Sequence, residues 1–226
     1  AWSGRDRSSM LKRILDIVGA GFGLLMLAVP LLVLGLLVRL SSPGPALFRQ
    51  RRAGRNGKAF TMLKFRTMRA DVDPYGHSPH SGADPRLTRI GRFLRETSLD
   101  ELPQLLNVLA GHMSLVGPRP LYERQAAEWD ERQRHRLDVR PGITGYAQAY
   151  GRGELPIEDK IEMDLHYVQN MGLLMDLRIL LRTVRNLFGS SGRVYEKQYS
   201  RESRYESAAS ERTGAPEEGR QSDRQA

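Results

Sequence analysis

An uncharged apolar segment near the start of the chain constrains the fold more than any other feature. Residues 17–38, "IVGAGFGLLMLAVPLLVLGLLV", contain no charged side chain. As a continuous helix the segment would be about 33 Å long, enough to cross a hydrocarbon core of ~30 Å. Pro30 lies inside it, and proline removes a backbone donor and clashes with the preceding turn. We therefore predict a membrane helix that is kinked at Pro30.

The charges that flank this segment indicate how it sits in a membrane. Positive residues favour the cytoplasmic side of a membrane, and a helix that bends and returns to the same face places both flanks there. We therefore predict a re-entrant membrane helix over residues 10–40. A straight span and a buried helix of a soluble protein are the alternatives. A signal peptide fits less well, because no small-residue cleavage site follows the apolar run. The flanking cations are Arg5, Arg7, Lys12 and Arg13 before the segment and Arg39, Arg49, Arg51, Arg52, Arg55 and Lys58 after it.

The rest of the chain divides into a folded domain and two appendages. Residues 1–9 precede Met10 and are interpreted as an N-terminal extension or a cloning remnant. Residues 41–189 form the main domain after the membrane helix. Residues 190–226 contain no Leu, Ile, Phe, Met or Trp, a composition typical of disorder. A partner could instead hold this tail, and an exchange of tails within a homodimer is one hypothesis.

Charge and composition limit the partners. Lys and Arg together number 35 against 26 Asp and Glu, giving a net charge of +9, and arginine supplies most of the positive charge. Arginine pairs bidentately with phosphate, so anionic lipid or nucleotide phosphate are the expected ligands. The chain has no cysteine, which excludes disulfides and a thiol nucleophile and fits a reducing compartment. Aromatic residues make up only 7%, too few for base stacking, so no nucleic-acid partner is expected.

Local patterns predict an α+β fold that is mostly helical. Asn56-Gly57 between two half-alternating segments predicts a β-hairpin. Gly111 is expected to end a short apolar helix. The further expectations are a basic helix over 86–96, an irregular loop over 111–123, a charged helix over 124–137, a turn-rich block over 140–156 and helical structure over 157–188, broken near 170–172.

The last helical segment is amphipathic and basic. Its apolar side and its arginine side suit a helix lying on an anionic membrane surface. A helix that packs its apolar side into the core is the alternative. The apolar residues are Leu173, Leu177, Leu180, Leu181, Val184 and Leu187, and the basic ones are Arg178, Arg182 and Arg185.

Two adjacent acids, Asp100 and Glu101, stand in "ETSLDELPQLLNVL". Ser98 and Glu101 match a helix capping box, which is one interpretation. Pro103 favours another, with Asp100 as the N-cap, because proline is tolerated in the first turn of a helix. Adjacent carboxylates repel one another unless a cation lies between them. Mg²⁺, a hard ion that takes carboxylate and phosphate oxygens, is the expected cofactor.

The surroundings of the acid pair favour phosphoryl transfer. Glycosidases place two carboxylates across a sugar ring, a geometry that adjacent residues serve poorly. In phosphoryl transfer one carboxylate attacks phosphorus while the other helps to hold the metal, and cations neutralise the developing charge. The predicted phosphate- or nucleotide-binding cations are Lys64, Arg66, Arg95, Arg119 and Arg152.

These motifs carry a family resemblance. "FRETSLDELPQLLNVLAGHMSLVGPRPL", with "KFRTM" before it and "RPGITGYAQAYGR" after it, resembles the bacterial sugar transferase family, the small monotopic polyprenyl-phosphate phosphoglycosyl transferases. The resemblance implies a catalytic domain over 41–189 on the cytosolic face of the bacterial inner membrane. It implies transfer of a sugar-1-phosphate from a UDP-sugar to polyprenyl phosphate, with release of UMP, in the first membrane step of glycoconjugate assembly.

The resemblance also implies roles for single residues. Asp100 matches the family's nucleophile, which forms a covalent phosphosugar intermediate, and Glu101 matches its acidic partner at the Mg²⁺ site. Lys64, Arg95, Arg119 and Arg152 match positions that bind phosphate or nucleotide. Asp164 matches a further acid, for which a helix-stabilising role is the alternative. His77 and His80 match no family motif and are expected in a solvated loop rather than at a metal.

A membrane-anchored binding module is the alternative to an enzyme. Such a module would hold anionic lipid or nucleic acid through its arginines and would have little need of Asp100 and Glu101. It would release no UMP from UDP-sugars, with or without magnesium.

Overall fold

The computed structural model describes residues 6–72, 79, 81–127, 129–151 and 155–188, with side chains from residue 10 onward. Five predicted features lie outside these residues: His77, His80, Arg152, residues 1–5 and the tail over 190–226. The helices are α1 (Asp6–Met26), α2 (Ala28–Ser41), α3 (Arg89–Glu96), α4 (Gln104–Leu109), α5 (Glu123–Ala127), α6 (Glu131–Arg134), α7 (Ile157–Asn170) and α8 (Leu173–Phe188). The strands are β1 (Leu47–Ala53), β2 (Ala59–Phe65), β3 (Ser114–Val116) and β4 (Gly142–Thr144). This architecture agrees with the predicted α+β class, mostly helical with little sheet.

The apolar segment forms a bent pair of helices. α1 and α2 meet at Leu27 and are bent by 66°. The bend is three residues before Pro30, which lies in the first turn of α2. This offset has a physical cause, because a proline ring clashes with the carbonyl four residues earlier, here that of Met26. In the described part of the chain no single helix could cross a membrane by length and composition, whereas this pair passes that test together.

One side of α1 is packed on the domain and the other is exposed. Asp16, Gly19, Ala20 and Gly23 recur at helical spacing along the packed side, and both Asp16 and Ala20 are buried. A Cβ at Gly19 would stand 2.8 Å from Leu115 Cδ1, so the small residue permits this close approach. The opposite side exposes large apolar residues, namely Leu15, Val18, Phe22 and Leu25.

The predicted hairpin is confirmed, and β2 contributes to two clusters of the core. β1 and β2 pair antiparallel from Leu47–Phe65 to Ala53–Ala59. Asn56 and Gly57 both adopt positive φ angles, the conformation for which these residue types are suited. One core cluster joins β2 to α1 and α4, and it consists of Ala20, Phe60, Met62, Leu105, Val108 and Met113. A second joins the end of β2 to α2 and α3 through Val38, Phe65 and Leu94.

A second, parallel pair of strands replaces part of two predicted loops. β3 pairs with β4, with Ser114 opposite Gly142 and Val116 opposite Thr144. Strands this short give little periodicity, so the sequence pattern did not reveal them. The outer edge of β3 is closed by side chains. Asp16 accepts from the Leu115 backbone N–H at 2.9 Å, and the Tyr167 hydroxyl donates to the Val116 carbonyl at 3.2 Å.

The single charged helix predicted over 124–137 is wrong. The segment contains α5, α6 and a short 3-10 helix, His135–Asp138. α6 begins anew at Asp130, whose side chain accepts from the Gln133 backbone N–H while the Gln133 side chain reaches back to the N-cap. Such a capping box specifies a helix start and thereby divides the charged run.

The last two helices follow the prediction. α7 ends at Asn170 and α8 begins at Leu173. Ile179 is buried against a core that includes Tyr167 and Val168, while Leu180 is partly buried against the same core. The remaining apolar residues are exposed, so the alternative in which this side fills the core is wrong for them. They are Leu173, Leu177, Leu181, Val184 and Leu187, and Leu174, outside the predicted set, is exposed as well.

Candidate active site

The two acids lie on a tight turn between α3 and α4. Residues Leu99–Glu101 form one turn of 3-10 helix, preceded by Ser98 in the left-handed region (φ 58°, ψ 15°). α4 starts only at Gln104, with Pro103 as its N-cap, and Ser98 makes no side-chain cap. The capping-box interpretation is therefore wrong, and so is the placement of Asp100 at the N-cap. A non-glycine residue at positive φ is held there by its surroundings, and such residues cluster at functional sites.

Glu101 is held by two cations. Its Oε1 lies 2.7 Å from Lys64 Nζ, on β2, and 3.4 Å from Arg119 Nη2, after β3. Burial acts to raise the pKa of Glu101, but Lys64 and Arg119 outweigh it and lower the pKa to about 2. Glu101 is therefore ionised throughout the neutral range, and its charge is locally balanced.

Asp100 differs sharply from its neighbour. It is 7% exposed, and among the described residues no side-chain hydrogen bond or ion pair reaches its carboxylate. Burial raises the pKa of Asp100 to about 6, and Glu101 adds to this rise. Lys64, Arg95 and Arg119 oppose the rise without directly pairing with the carboxylate. A desolvated carboxylate surrounded by cations at a distance is available for bond formation with a phosphorus atom.

Arg95 is positioned by the segment that follows β2. Its Nε donates to Thr67 Oγ1 at 2.9 Å, and Thr67 is buried. α3 lies directly against this segment at Gly91, where a Cβ would stand 1.9 Å from the Thr67 carbonyl oxygen. The absence of a side chain at Gly91 thus brings Arg95 close to the acid turn.

Arg66 occupies a different place from the other predicted cations. Its guanidinium donates to the carbonyl oxygens of Val38 at 3.2 Å, Ser42 at 2.7 Å and Pro43 at 2.5 Å. These carbonyls end α2 and begin the turn after it, and helix C-terminal carbonyls lack partners within the helix. Because these contacts bind Arg66 to the C-terminal end of α2, it does not belong to the cations around the acid pair.

Arg119 lies in a loop whose carbonyls are all bound. Pro118 and Pro120 flank it and supply no backbone N–H, so the loop is fastened through its C=O groups. The Arg119 carbonyl accepts from Arg136 Nη2 at 3.0 Å. The other carbonyls of the loop accept from Gly142 N (to Pro118), Arg52 Nη1 (to Pro120) and Ala53 N (to Leu121).

Arg136 was missed by the sequence analysis. It is 3% exposed and pairs with Asp164, whose Oδ2 accepts from Arg136 Nε at 3.0 Å. Asp164 is 1% exposed and lies on α7, and burial raises its pKa despite the opposing charge of Arg136. In "ERQRHRL" Arg136 looks like one of several solvated charges, and only the fold shows that it is buried.

The acid pair offers oxygen donors of the kind that Mg²⁺ prefers. In the described part of the chain no cluster of three or more His, Cys, Asp or Glu residues could hold a metal by itself. Mg²⁺ in phosphate-handling sites commonly takes one or two carboxylates and completes its shell with water and substrate phosphates. Asp100 and Glu101 fit that donor set, although Oε1 of Glu101 already contacts Lys64 and Arg119.

Of the predicted site residues, the structure brings together Asp100, Glu101, Lys64, Arg95 and Arg119. Arg66 is directed to the end of α2, and Arg152 lies outside the described residues. A buried carboxylate without a direct partner among the described residues, near three cations, suits covalent chemistry at an anionic phosphorus centre.

Known bacterial sugar transferases are similar to this chain over most of its length. A sequence model described as "Bacterial sugar transferase" matches residues 7–190. The chain is 45% identical over 183 residues to the uncharacterized sugar transferase EpsL of Bacillus subtilis, covering 81% of this chain and 90% of that protein. It is 48% identical over 191 residues to the exopolysaccharide production protein PSS of Rhizobium leguminosarum, covering 77% and 94%. It is 46% identical over 189 residues to the UDP-glucose:undecaprenyl-phosphate glucose-1-phosphate transferase of Caulobacter vibrioides, covering 78% and 69%.

Proposed function

This chain belongs to the bacterial sugar transferase family and is a sugar-phosphate transferase, and from that premise we propose that it moves a sugar-1-phosphate from a UDP-sugar to polyprenyl phosphate through a covalent intermediate on Asp100. The observation that carries the proposal is the contrast within the acid pair. Glu101 is bound by two cations, whereas Asp100 is buried, unpaired among the described residues and raised in pKa. A non-catalytic binding module would give no reason for this contrast.

The reaction balances as two displacements at one phosphorus. In the first, the Asp100 carboxylate attacks the sugar-bearing phosphorus of the donor, and the bond to the bridging oxygen breaks so that UMP leaves with its electron pair. In the second, a phosphate oxygen of the polyprenyl phosphate attacks the same phosphorus. The acyl-phosphate bond breaks, Asp100 is regenerated as a carboxylate, and a polyprenyl diphosphosugar forms. Neither step needs a net proton from the protein.

The cations of the site would serve both displacements. Arg95 and Arg119 would neutralise the oxygens of the phosphoryl group, because charge develops there in the transition state. Lys64 would hold Glu101 in place and lower the pKa of Asp100 enough for attack near neutral pH. Arg152 joins this set through its match to the family motif alone.

Mg²⁺ is the proposed cofactor. Glu101, with Asp100 before it becomes esterified, would supply the protein oxygens, and the donor diphosphate and water would supply the rest. When bound, the ion would offset the negative charge of the diphosphate and of the departing UMP.

The proposed location is the cytosolic face of the bacterial inner membrane. The bent α1–α2 pair would enter and leave on one side, and its exposed apolar side chains would face lipid. The exposed leucines of α8, with Arg178 and Arg185 beside them, would rest on the membrane surface.

UDP-glucose is the first donor to test, because the Caulobacter relative is named for it. Exopolysaccharide assembly is the proposed setting, because the Rhizobium relative is named for exopolysaccharide production.

Isotope exchange tests the covalent step without the lipid acceptor. Purified enzyme in nanodiscs is incubated with UDP-glucose, Mg²⁺ and labelled UMP, and incorporation of label into UDP-glucose is measured. The wild type and Asp71→Asn, an exposed aspartate outside the site, should exchange label, whereas Asp100→Asn should not. Exchange by Asp100→Asn would reject the covalent mechanism. If no UDP-hexose or UDP-acetamidohexose supports exchange or acceptor-dependent UMP release, the proposed function is wrong.

A further inference from the structure

We propose that Arg136, with its buried partner Asp164, is a positioning residue that sets the location of Arg119 and thereby of the Glu101–Asp100 pair. The inference rests on the proposed function for its consequence in catalysis. It concerns residues that do not themselves reach the acid turn. Its basis is an unbroken series of contacts from α7 to Glu101.

The series begins with a fully buried ion pair. Arg136 donates to Asp164 Oδ2 through Nε at 3.0 Å and also through Nη2. The Trp129 ring covers the guanidinium, with its centroid 4.8 Å from Arg136 Cζ. Removing an arginine from water is costly, and a packed apolar domain needs no such pair for its stability. A buried pair of this kind therefore invites a role in specifying geometry.

The next contact reaches the backbone of the Pro-Arg-Pro loop. Arg136 Nη2 also donates to the Arg119 carbonyl oxygen at 3.0 Å. Because proline stands on both sides of Arg119, rotation of the neighbouring residues is restricted. Fixing this carbonyl therefore fixes the direction in which the Arg119 Cα–Cβ bond leaves the loop.

The last contact joins the loop to the acids. Arg119 Nη2 lies 3.4 Å from Glu101 Oε1, and Arg119 also lowers the pKa of the adjacent Asp100. A small displacement of the loop would lengthen this contact and move the guanidinium from the phosphoryl group. Misplacement by ~1 Å can cost about 10²-fold in rate, since catalytic groups act only within a narrow range of geometry.

A second ion pair in the same region provides a matched control. Arg132 and Glu162 also join the segment over 131–138 to α7, but both side chains are exposed and no contact from them to Arg119 is present in the described chain. Arg136→Lys retains a cation beside Asp164, but its single nitrogen on a flexible stem lacks the rigid fork with which the guanidinium holds Asp164 through Nε and Nη2 while Nη2 also holds the Arg119 carbonyl. Arg132→Lys makes the same chemical change without touching the loop.

The experiment measures kcat/KM for the UDP-sugar in single variants and in a double-mutant cycle between Arg136 and Arg119. Arg136→Lys should lower kcat/KM roughly 10- to 100-fold, and Arg132→Lys should change it less than about 3-fold. In an Arg119→Met background, Arg136→Lys should add less than about 3-fold, because its effect passes through Arg119. Full activity of Arg136→Lys, or losses that multiply in the double variant, would overturn the inference.

Two further measurements keep the test decisive. If Arg136→Lys does not fold, the double variant Arg136→Met with Asp164→Leu removes both charges of the buried pair together. It should show the same loss in kcat/KM, and that loss should again nearly disappear in the Arg119→Met background.

Hydrogen exchange followed by mass spectrometry measures the mobility of the loop independently of activity. Residues 114–121 should exchange faster in Arg136→Lys than in the wild type or Arg132→Lys, and unchanged exchange would overturn the inference. If the wild type releases no UMP from any UDP-sugar while residues 114–121 still exchange faster in Arg136→Lys, the proposed function is wrong and the positioning role is supported.

Discussion

Lys64 Nζ lies 2.7 Å from Glu101 Oε1, joining strand β2 to the turn that carries both acids. The two groups are each less than one-fifth exposed. The pair thus holds an ionised carboxylate beside Asp100, whose own carboxylate is left without a direct partner in the described chain. Most of the chemical predictions depend on this division of roles.

Removal of either Lys64 or Glu101 should lower kcat strongly, and the two effects should not be additive. Lys64→Met and Glu101→Gln should each lower kcat about 10²- to 10³-fold, since each removes a fixed charge at the reacting centre. The double variant should lose much less than the product of the two losses. UMP release under saturating substrates is the measurement, and Lys58→Met, an exposed lysine next to β2, is the control. Independent, multiplying losses would contradict the paired role.

In the absence of acceptor, the rate of UMP exchange should fall at acid pH, at or below about 6, because Mg²⁺ at the acid pair would oppose protonation of Asp100. Asp100 attacks only when ionised, and burial raises its pKa to about 6. Glu101 does not contribute to this fall, because its pKa is held near 2. Lys64→Met should move the acidic limb to higher pH, since Lys64 is the strongest influence that lowers the pKa of Asp100. If the acidic fall of the pH–rate profile stays at the same pH in Lys64→Met, a group other than Asp100 causes it.

Asp100→Asn should stabilise the fold at neutral pH while abolishing turnover. A carboxyl whose folded pKa is raised destabilises the folded state once the pH exceeds its unfolded value of 3.8. The gain should be about 2–3 kcal/mol at pH 7.5, should shrink as the pH falls through 6, and should vanish near pH 4. Thermal melts without Mg²⁺ measure this gain in stability. Asp71→Asn is the control: Arg69 lowers the pKa of that exposed acid, so its replacement should not stabilise the fold. An equal gain at all pH values would show that ionisation is not its cause.

Gly91→Ala should destabilise the domain and lower activity. Its Cβ would stand 1.9 Å from the Thr67 carbonyl, so α3 must move away and carry Arg95 with it. We expect a loss of about 1–3 kcal/mol in stability, the usual cost of overpacking. Gly21→Ala is the matched control, because that helical glycine has nothing within 4 Å of an added Cβ. Denaturant unfolding and UMP release measure the two effects, and equal stability of both variants would contradict the close contact.

Single cysteines test the proposed re-entrant course of α1 and α2. The chain has no cysteine, so Met10→Cys and Ser42→Cys each introduce one labelling site. Both should be protected from an impermeant maleimide in intact cells and labelled after permeabilisation, because both ends would lie in the cytosol. Labelling of one end in intact cells would show a true span.

The elements with strong local signals were predictable from sequence. The apolar run, the Asn56-Gly57 hairpin and the break between α7 and α8 each depend on residues adjacent in the chain. The bend was foreseen as well, although it lies at Leu27 because the clash of Pro30 acts on the turn before it. The motif around Asp100 and Glu101 indicated phosphoryl transfer through residue type and spacing alone.

The tertiary structure decided which charges are solvated and which are buried. Arg66, Arg119 and Arg136 are alike in sequence, yet one binds the end of α2, one binds Glu101 and one is buried against Asp164. The short strands β3 and β4 likewise form only because distant segments pair and α1 closes their edge through Asp16. Burial and long-range pairing determine the local dielectric and therefore the pKa of Asp100, and neither is encoded in the order of neighbouring residues.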